Sequence, residues 1–165
     1  MPRKSDFLIA PLGEGALILA LSAVGYFSRQ PFIFASLGPT AYELVEKPEE
    51  KSARAYNVVA GHIVGLGAAH LSLWLMHAYS APKVMQAGFV SAPRMWAMVM
   101  AAVITTLVTL AIAASQPASL STTLLVAIGS MQTQKDAIII VLAVVLIAIL
   151  GEPIRHARLL RRREQ

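Results

Sequence analysis

Residues 30–41 read Gln30-Pro31-Phe32-Ile33-Phe34-Ala35-Ser36-Leu37-Gly38-Pro39-Thr40-Ala41, and the second half of the chain contains a similar stretch, Gln116-Pro117-Ala118-Ser119-Leu120-Ser121-Thr122-Thr123. Each stretch follows a long apolar run and opens with Gln-Pro. Each then passes through Ser-Leu and offers small or hydroxyl-bearing residues that suit the start of a short helix. Two interrupted apolar segments at corresponding places in two halves of a hydrophobic chain are typical of transporters, in which such segments form the binding site.

The composition indicates a protein that resides in a lipid bilayer. Of the 165 residues, 56% are hydrophobic and only 14% are charged, and the mean hydropathy is +0.63. Soluble domains carry about 25% charged residues, so this chain has too few charges to cover a water-facing surface. At about 20 residues for each membrane helix, the length suits one transmembrane domain of roughly six passes over residues 1–165. The chain has no cysteine, which excludes disulfides and thiolate ligands.

Four apolar runs are long enough to span a membrane, and two intervening segments are broken. Pro31 and Pro39 bracket the first broken segment, in which Phe32-Ile33-Phe34 favours extended backbone. Gly38-Pro39-Thr40 then suits a helix start, because proline is tolerated in the first turn of a helix. We expect extended backbone at residues 32–36 and 118–121, each time followed by a half-helix. The predicted spans are residues 7–27, 57–76, 94–114 and 137–150, and the broken segments are residues 31–45 and 116–131.

The order of span, broken segment and span occurs twice, which predicts an all-α polytopic membrane protein with two three-segment repeats, residues 7–79 and 93–155. If the broken segments cross the bilayer, the repeats are inverted and ten of the fourteen basic residues lie on the side of the termini. If those segments are re-entrant, nine lie there. Cytoplasmic loops are enriched in Lys and Arg, so six crossings with both termini in the cytoplasm are favoured. The expected location is the bacterial inner membrane.

The net charge of +5 and the pI near 9.9 arise largely at the two chain ends. We interpret these charges as topology signals that also contact lipid headgroups. No basic face with interleaved aromatic residues accompanies them, so no nucleic-acid partner is predicted. The first apolar run could be a signal peptide, but residues 95–114 form an uncleaved counterpart. The basic end residues are Arg3, Lys4, Arg155, Arg158, Arg161, Arg162 and Arg163.

The broken segments predict a binding site for an anion. In lipid, extended backbone is tolerated only inside protein or around a water-filled cavity. A helix that begins within the membrane directs unpaired N–H groups and its positive dipole end into that cavity. In inverted repeats the two helix N-termini converge, and together they can bind an anion without a buried lysine or arginine. The alternative is that the serine, threonine and glycine residues of the broken segments serve only helix packing, as Gly61 and Gly65 do at GxxxG spacing. The predicted substrate-binding residues are Ser36, Leu37, Gly38, Thr40, Ser119, Ser121, Thr122 and Thr123.

Three ionisable residues are candidates for proton coupling. His62 falls within a predicted span, where an ionisable group is a functional candidate. Glu14 and Glu152 lie near span ends, where helix capping is the alternative role. His62 and the two later histidines of the same span are too far apart along a helix to bind one metal ion, so no metal or other cofactor is predicted. No hydrolase, metalloprotease or phosphate-loop motif is present, so the chain is not predicted to be an enzyme.

The first of the two stretches, followed after a charged loop by Asn57-Val58-Val59-Ala60-Gly61-His62, resembles the HPP family of small integral membrane proteins. Members of that family show an extended PF-x-x-AS-x-GA-x-A stretch and then RNV-x-GGH. The resemblance covers about residues 10–155, and the family's His-Pro-Pro-Ala signature stands here as Ser115-Gln116-Pro117-Ala118. Some plastid and cyanobacterial members are associated with nitrite transport. The resemblance therefore implies a small-anion substrate, with nitrite the first candidate.

These observations together predict a transporter or facilitator of a small monovalent inorganic anion. Six short segments enclose little interior, so a homodimer within the lipid bilayer is expected. One alternative is a passive channel for another small solute, and another is a membrane scaffold or assembly subunit that transports nothing.

Overall fold

The computed structural model describes residues 6–163, with side chains for residues 8–162, and this part of the chain is helical throughout apart from its connections. The basic residues Arg3 and Lys4 lie outside the described part. A short 3-10 helix, Lys51–Ala53, lies between the second and third α-helices. The α-helices are α1 (Asp6–Ser28), α2 (Leu37–Glu46), α3 (Ala55–Leu75), α4 (Val84–Ala87), α5 (Ala92–Ala111), α6 (Pro117–Ala127) and α7 (Gln134–Arg163).

Four of these helices, α1, α3, α5 and α7, are long and apolar enough to cross a membrane. They correspond to the four predicted spans, and the prediction of an all-α polytopic membrane protein is confirmed. The last helix is longer than expected, because it continues through Gly151 and Pro153 into the basic tail. The sequence Gly13-Glu14-Gly15 does not interrupt α1.

The two broken segments contain the short helices α2 and α6, of 10 and 11 residues. Each is about 15 Å long, roughly half of the hydrocarbon thickness of a bilayer. Residues 31–34 have no regular secondary structure before α2 begins. Residues 35 and 36 form a turn with Ser36 in the right-handed helical region, so the extended backbone predicted at residues 32–36 is wrong at this end. The extended backbone predicted at residues 118–121 is wrong, because α6 already begins at Pro117. Proline suits this first helical position, and the Gln116 side chain caps the Ser119 N–H at 2.8 Å.

Contacts between helix ends show the direction of each segment. At one end, here called the tail end, Arg158 of α7 donates to the carbonyl of Val45 at the end of α2 (3.1 Å). Tyr56, at the start of α3, donates to the carbonyl of Ile112, just after α5. At the other end, here called the Arg94 end, the Val84 N–H donates to the carbonyl of Ile128, just after α6. Helices α3 and α6 therefore run towards the Arg94 end, whereas α2, α5 and α7 run towards the tail end.

Helix α3 is the centre of the packing and contacts α5, α6 and α7. Its Gly61 and Gly65 face α6, and a Cβ atom at Gly65 would lie 2.6 Å from Thr123 Oγ1 and 2.7 Å from the Ser119 carbonyl oxygen. Any side chain at this position would therefore push α6 away. The Gly61-xxx-Gly65 spacing serves close helix packing, as the sequence predicted.

Arg94 fixes the other end of α6. Its side chain is completely buried, and Nη1 donates to the carbonyl of Ala127, the last residue of α6, at 2.9 Å. Nε and Nη2 donate to the carbonyls of Pro82 and Ala81, and Nη2 also to the Gln132 side chain. A cation at a helix C-terminus is favoured by the helix dipole. In the sequence, Arg94 only marks the start of the predicted span 94–114, so its bonding role was not predicted.

Candidate functional site

Two hydroxyl groups join the two broken segments inside the protein. Ser36, at the N-terminus of α2, lies 2.7 Å from Thr122 of α6, oxygen to oxygen. Both side chains are fully buried. The two residues are 86 positions apart in the chain. This direct contact supports the prediction that both stretches contribute to one buried position.

Thr40 and His62 extend this hydroxyl pair towards α3. The Thr40 hydroxyl donates to the Ser36 carbonyl at 3.0 Å and lies 3.4 Å from His62 Nε2. His62 Nδ1 lies 2.7 Å from the Val58 carbonyl oxygen, which can only accept, so we assign the ring proton to Nδ1. Nε2 then carries a lone pair, and the single Thr40 hydrogen can be donated either to the Ser36 carbonyl or to Nε2. His62 is 1% exposed, so this lone pair lies within the protein interior.

A second row of hydroxyls lies between α6 and α5. Thr123 Oγ1 donates to the Ser119 carbonyl at 3.0 Å and lies 2.9 Å from Thr105 Oγ1. The Ser119 hydroxyl donates to the Gln116 carbonyl at 2.6 Å. A cavity of about 260 Å³ adjoins this row at the start of α6. Its polar lining consists of Thr105, Thr106, Thr109, Ser115, Gln116 and Ser119.

The two half-helices lie side by side and do not meet tip to tip. Ser36 precedes α2 and contacts the sixth residue of α6, while Gln116 precedes α6 and donates from Nε2 to the carboxylate of Glu43, the seventh residue of α2, at 3.2 Å. The helices therefore overlap, antiparallel, by about two turns. The prediction that their N-termini converge on one point does not match this arrangement. Each N-terminus lies beside the body of the other helix.

The two N-termini also differ in how they are capped. Gln116 satisfies the Ser119 N–H at the start of α6. Ser36 makes no side-chain cap to α2, because its hydroxyl is turned to Thr122. A Cβ atom at Gly38 would meet nothing within 4 Å, so no side chain packs against this one position, whereas Ser36, Leu37 and Thr40 around it are fully buried. The start of α2 therefore lacks the side-chain cap that the start of α6 has, whereas the cavity of about 260 Å³ adjoins the start of α6.

The family model described as "HPP, transmembrane region" matches residues 1–158. The chain belongs to the HPP family. No curated protein and no solved structure matches it. Two residues that carried the resemblance, Ser36 and His62, belong with Thr40 and Thr122 to one buried group, here called the hydroxyl cluster. A third, Asn57 of this HPP protein, donates from Nδ2 to the carbonyls of Ala113 and Ser115, just before α6.

Several predicted site residues of the HPP chain lie elsewhere. Ser121 is exposed on the outer face of α6, and Leu37 is buried in the apolar core. Glu14 is half-buried on α1, next to a glycine that packs at the tail end. Glu152 pairs with Arg155 at 2.7 Å at the same end. The structure therefore does not bring Ser121, Glu14 or Glu152 together with His62.

The other histidines of α3 lie towards the Arg94 end. His70 Nδ1 lies 2.6 Å from the Tyr79 hydroxyl, and burial raises the pKa of that phenol. His77 is exposed just beyond α3. Among the residues that the structure describes, no three histidine, aspartate or glutamate side chains come close enough to hold a metal ion.

Sequence reasoning missed Glu43 and Gln116 as members of the site. Ser36, Thr40 and Glu43 are spaced at i, i+4 and i+7 and share one face of α2, a periodicity that could have indicated a polar stripe. Gln116 was noted only as part of the Gln-Pro pattern. The structure shows that it both caps α6 and binds Glu43.

Proposed function

We propose that this HPP protein is a transporter or facilitator of a small monovalent anion, with nitrite as the first candidate. The observation that carries the proposal is the buried hydrogen bond between Ser36 and Thr122, which joins two interrupted segments in the interior of a membrane protein. Polar groups inside a membrane are costly and are retained where they serve a substrate or ion path. Transport rather than catalysis is proposed, since the cluster has hydroxyls and an imidazole but no activated nucleophile.

We place the anion at the first turn of α2, beside Ser36, Gly38 and Thr40. The start of α2 has no side-chain cap, and the positive end of the α2 dipole lies there. Hydroxyl hydrogens of Ser36 and Thr122 can turn towards an anion, since either can be the donor in their pair. Because Gln116 already caps α6, we propose that α6 contributes hydroxyls and that α2 contributes its uncapped helix terminus.

His62 is proposed as the proton-coupling group. Its Nε2 lone pair lies 3.4 Å from the Thr40 hydroxyl, which also donates to the Ser36 carbonyl. A proton gained at Nε2 would place positive charge next to the anion position and would favour its occupancy. Release of the proton would reverse this. Alternate gain and release of a proton at His62 would therefore couple nitrite transport to proton movement.

The proposed setting is an inverted pair of repeats in a bacterial inner membrane, with both termini cytoplasmic and the protein a homodimer. Opposite directions of the corresponding helices α3 and α7, and of α2 and α6, support the inverted relation. Lys47, Lys51 and Arg54 share the tail end with the α7 arginines, whereas Arg29, Lys83, Arg94 and Lys135 belong to connections or helix starts at the other end. This distribution favours a cytoplasmic tail end.

Uptake by proteoliposomes tests the proposal. Purified protein is expected to give saturable nitrite uptake that a proton gradient accelerates, and Ser36→Ala is expected to reduce it without loss of folded protein. A passive channel would show uptake without saturation or proton dependence. A scaffold would give no uptake, and either result would contradict the proposed transport mechanism.

A further inference from the structure

A cavity of about 470 Å³ lies at the tail end, between the connection that follows α2 and the last turns of α7. It is lined by Glu49, Arg54, Arg155, Leu159 and Arg162. Three guanidinium groups and one carboxylate surround it, so the cavity is positively charged and attracts anions. Neither the proposed transport site nor the hydroxyl cluster includes any of these residues.

Two of the three arginines are held in place by the protein. Arg155 is buried, and its Nε donates to the Pro48 carbonyl at 2.8 Å while Nη1 pairs with Glu152 at 2.7 Å. Arg162 pairs with Glu49 at 2.6 Å and donates from Nη2 to the Glu46 carbonyl. A guanidinium that is already ordered loses little conformational freedom when an anion binds it.

The third arginine has no partner in the described part of the chain. Arg54 is exposed, and its side chain makes no hydrogen bond or ion pair with any residue that the structure describes. Its planar fork of N–H groups matches two oxygens of a phosphate. An unpaired arginine on the wall of a positive cavity provides donors for a phosphate.

The cavity lies at the depth of the lipid headgroups. The apolar part of α7 ends near Leu150, and Arg155 lies five residues further, about 7.5 Å along the helix axis. The headgroup layer extends about 5–8 Å beyond the hydrocarbon core of a bilayer. Leu159 adds an apolar surface beside the three guanidinium groups.

We propose that this cavity binds the phosphate of an anionic phospholipid from the surrounding leaflet, with Arg54 and Arg155 contacting its oxygens. Arg155 and Arg162 also bind carbonyl groups at and just beyond the C-terminus of α2. A bound lipid therefore stabilises the end of the helix that carries Ser36 and Thr40. This inference does not depend on which solute the protein transports, because it concerns lipid binding at the tail end.

Native mass spectrometry of the full-length protein in detergent, titrated with phosphatidylglycerol, tests the inference. One retained phosphatidylglycerol is expected, and Arg54→Gln is expected to weaken its binding by about tenfold, since charge-assisted hydrogen bonds are lost. Arg54 has no partner among the described residues, so this variant should unfold at the same temperature as the wild type without lipid. Lys51→Gln is the matched control, because it removes the same charge from the same connection without lining the cavity.

Three outcomes would overturn the inference. Equal retention of phosphatidylcholine would show that the anionic headgroup is not recognised. Inorganic phosphate that displaces the lipid at comparable concentration would show a site for free phosphate. Equal weakening by Lys51→Gln and Arg54→Gln would show only a general effect of charge. Nitrite uptake does not enter any of these measurements, so the lipid site and the transport proposal can fail separately.

Discussion

Single hydroxyl groups connect distant segments of this protein, because the Ser36 hydroxyl on one broken segment contacts the Thr122 hydroxyl on the other. Ser36 and Thr122 could be predicted as polar residues of the broken segments, since the sequence marks them by position. Their contact with each other could not be predicted, because it depends on how far α2 and α6 slide past one another. The contacts of Arg94 could not be predicted either. Its sequence position suggests a surface charge, yet its guanidinium is buried against backbone carbonyls.

Thr122→Val tests the buried hydroxyl pair. The change keeps the shape of the side chain but leaves the Ser36 hydroxyl without its partner, at an expected cost of about 1–3 kcal/mol in the free energy of unfolding. Nitrite uptake should fall together with stability. Ser121→Val is the control, because the neighbouring hydroxyl is exposed, and it should change neither the midpoint of unfolding nor uptake. Normal uptake by Thr122→Val would contradict the proposed site.

His62→Gln tests proton coupling. Glutamine retains a donor towards the Val58 carbonyl but cannot be protonated at the position of Nε2, so uptake is expected to lose its dependence on a proton gradient. Counterflow exchange of nitrite, which needs no net proton movement, should persist. The matched control is His77→Gln, which alters an exposed histidine beyond the same helix. Coupled uptake that survives in His62→Gln would exclude this histidine as the coupling group.

At the scale of helices, the interruptions were predictable and the helix starts were only partly so. Proline, extended aromatic residues and glycine are local signals, and they correctly located a break in each half of the chain. The Gln-Pro pattern misled the second prediction, because five residues separate Pro31 from the start of α2 while Pro117 itself begins α6. The difference arises from the Gln116 cap and from the packing of α6 on Gly61 and Gly65. Those interactions are tertiary or depend on side-chain rotamers.

Gly65→Ala tests the close packing of α3 on α6. The added methyl group would lie 2.7 Å from the Ser119 carbonyl oxygen, and backbone cannot move aside cheaply, so a loss of about 1–3 kcal/mol is expected. Thermal unfolding in detergent measures the effect. Gly67→Ala is the matched control two residues away, because a Cβ atom there meets nothing within 4 Å. It should leave stability unchanged or raise it slightly, since alanine favours helix. Equal losses in both variants would show that helix α3, and not its contact with α6, is disturbed.

At the scale of the whole molecule, the path of the chain decides how the two broken segments relate to the membrane. Composition and length alone placed the protein in lipid, but charge counting separated six crossings from four only weakly. The contacts of α6 show that it runs beside α3 in the same direction, from the connection after α5 towards the Arg94 end. A re-entrant segment would instead return to the end from which it started.

The absence of cysteine from the chain makes this path directly testable. Single cysteines at Lys51, Lys83 and Lys135 can be probed in intact cells with a membrane-impermeant maleimide, and the wild type serves as the unlabelled control. With six crossings and a cytoplasmic N-terminus, Lys83→Cys and Lys135→Cys are labelled and Lys51→Cys is protected until the cells are opened. With two re-entrant segments, Lys51→Cys is labelled and Lys83→Cys is protected, while Lys135→Cys is labelled in both cases. Labelling of Lys51→Cys in intact cells together with protection of Lys83→Cys would therefore exclude the inverted arrangement proposed for the two repeats.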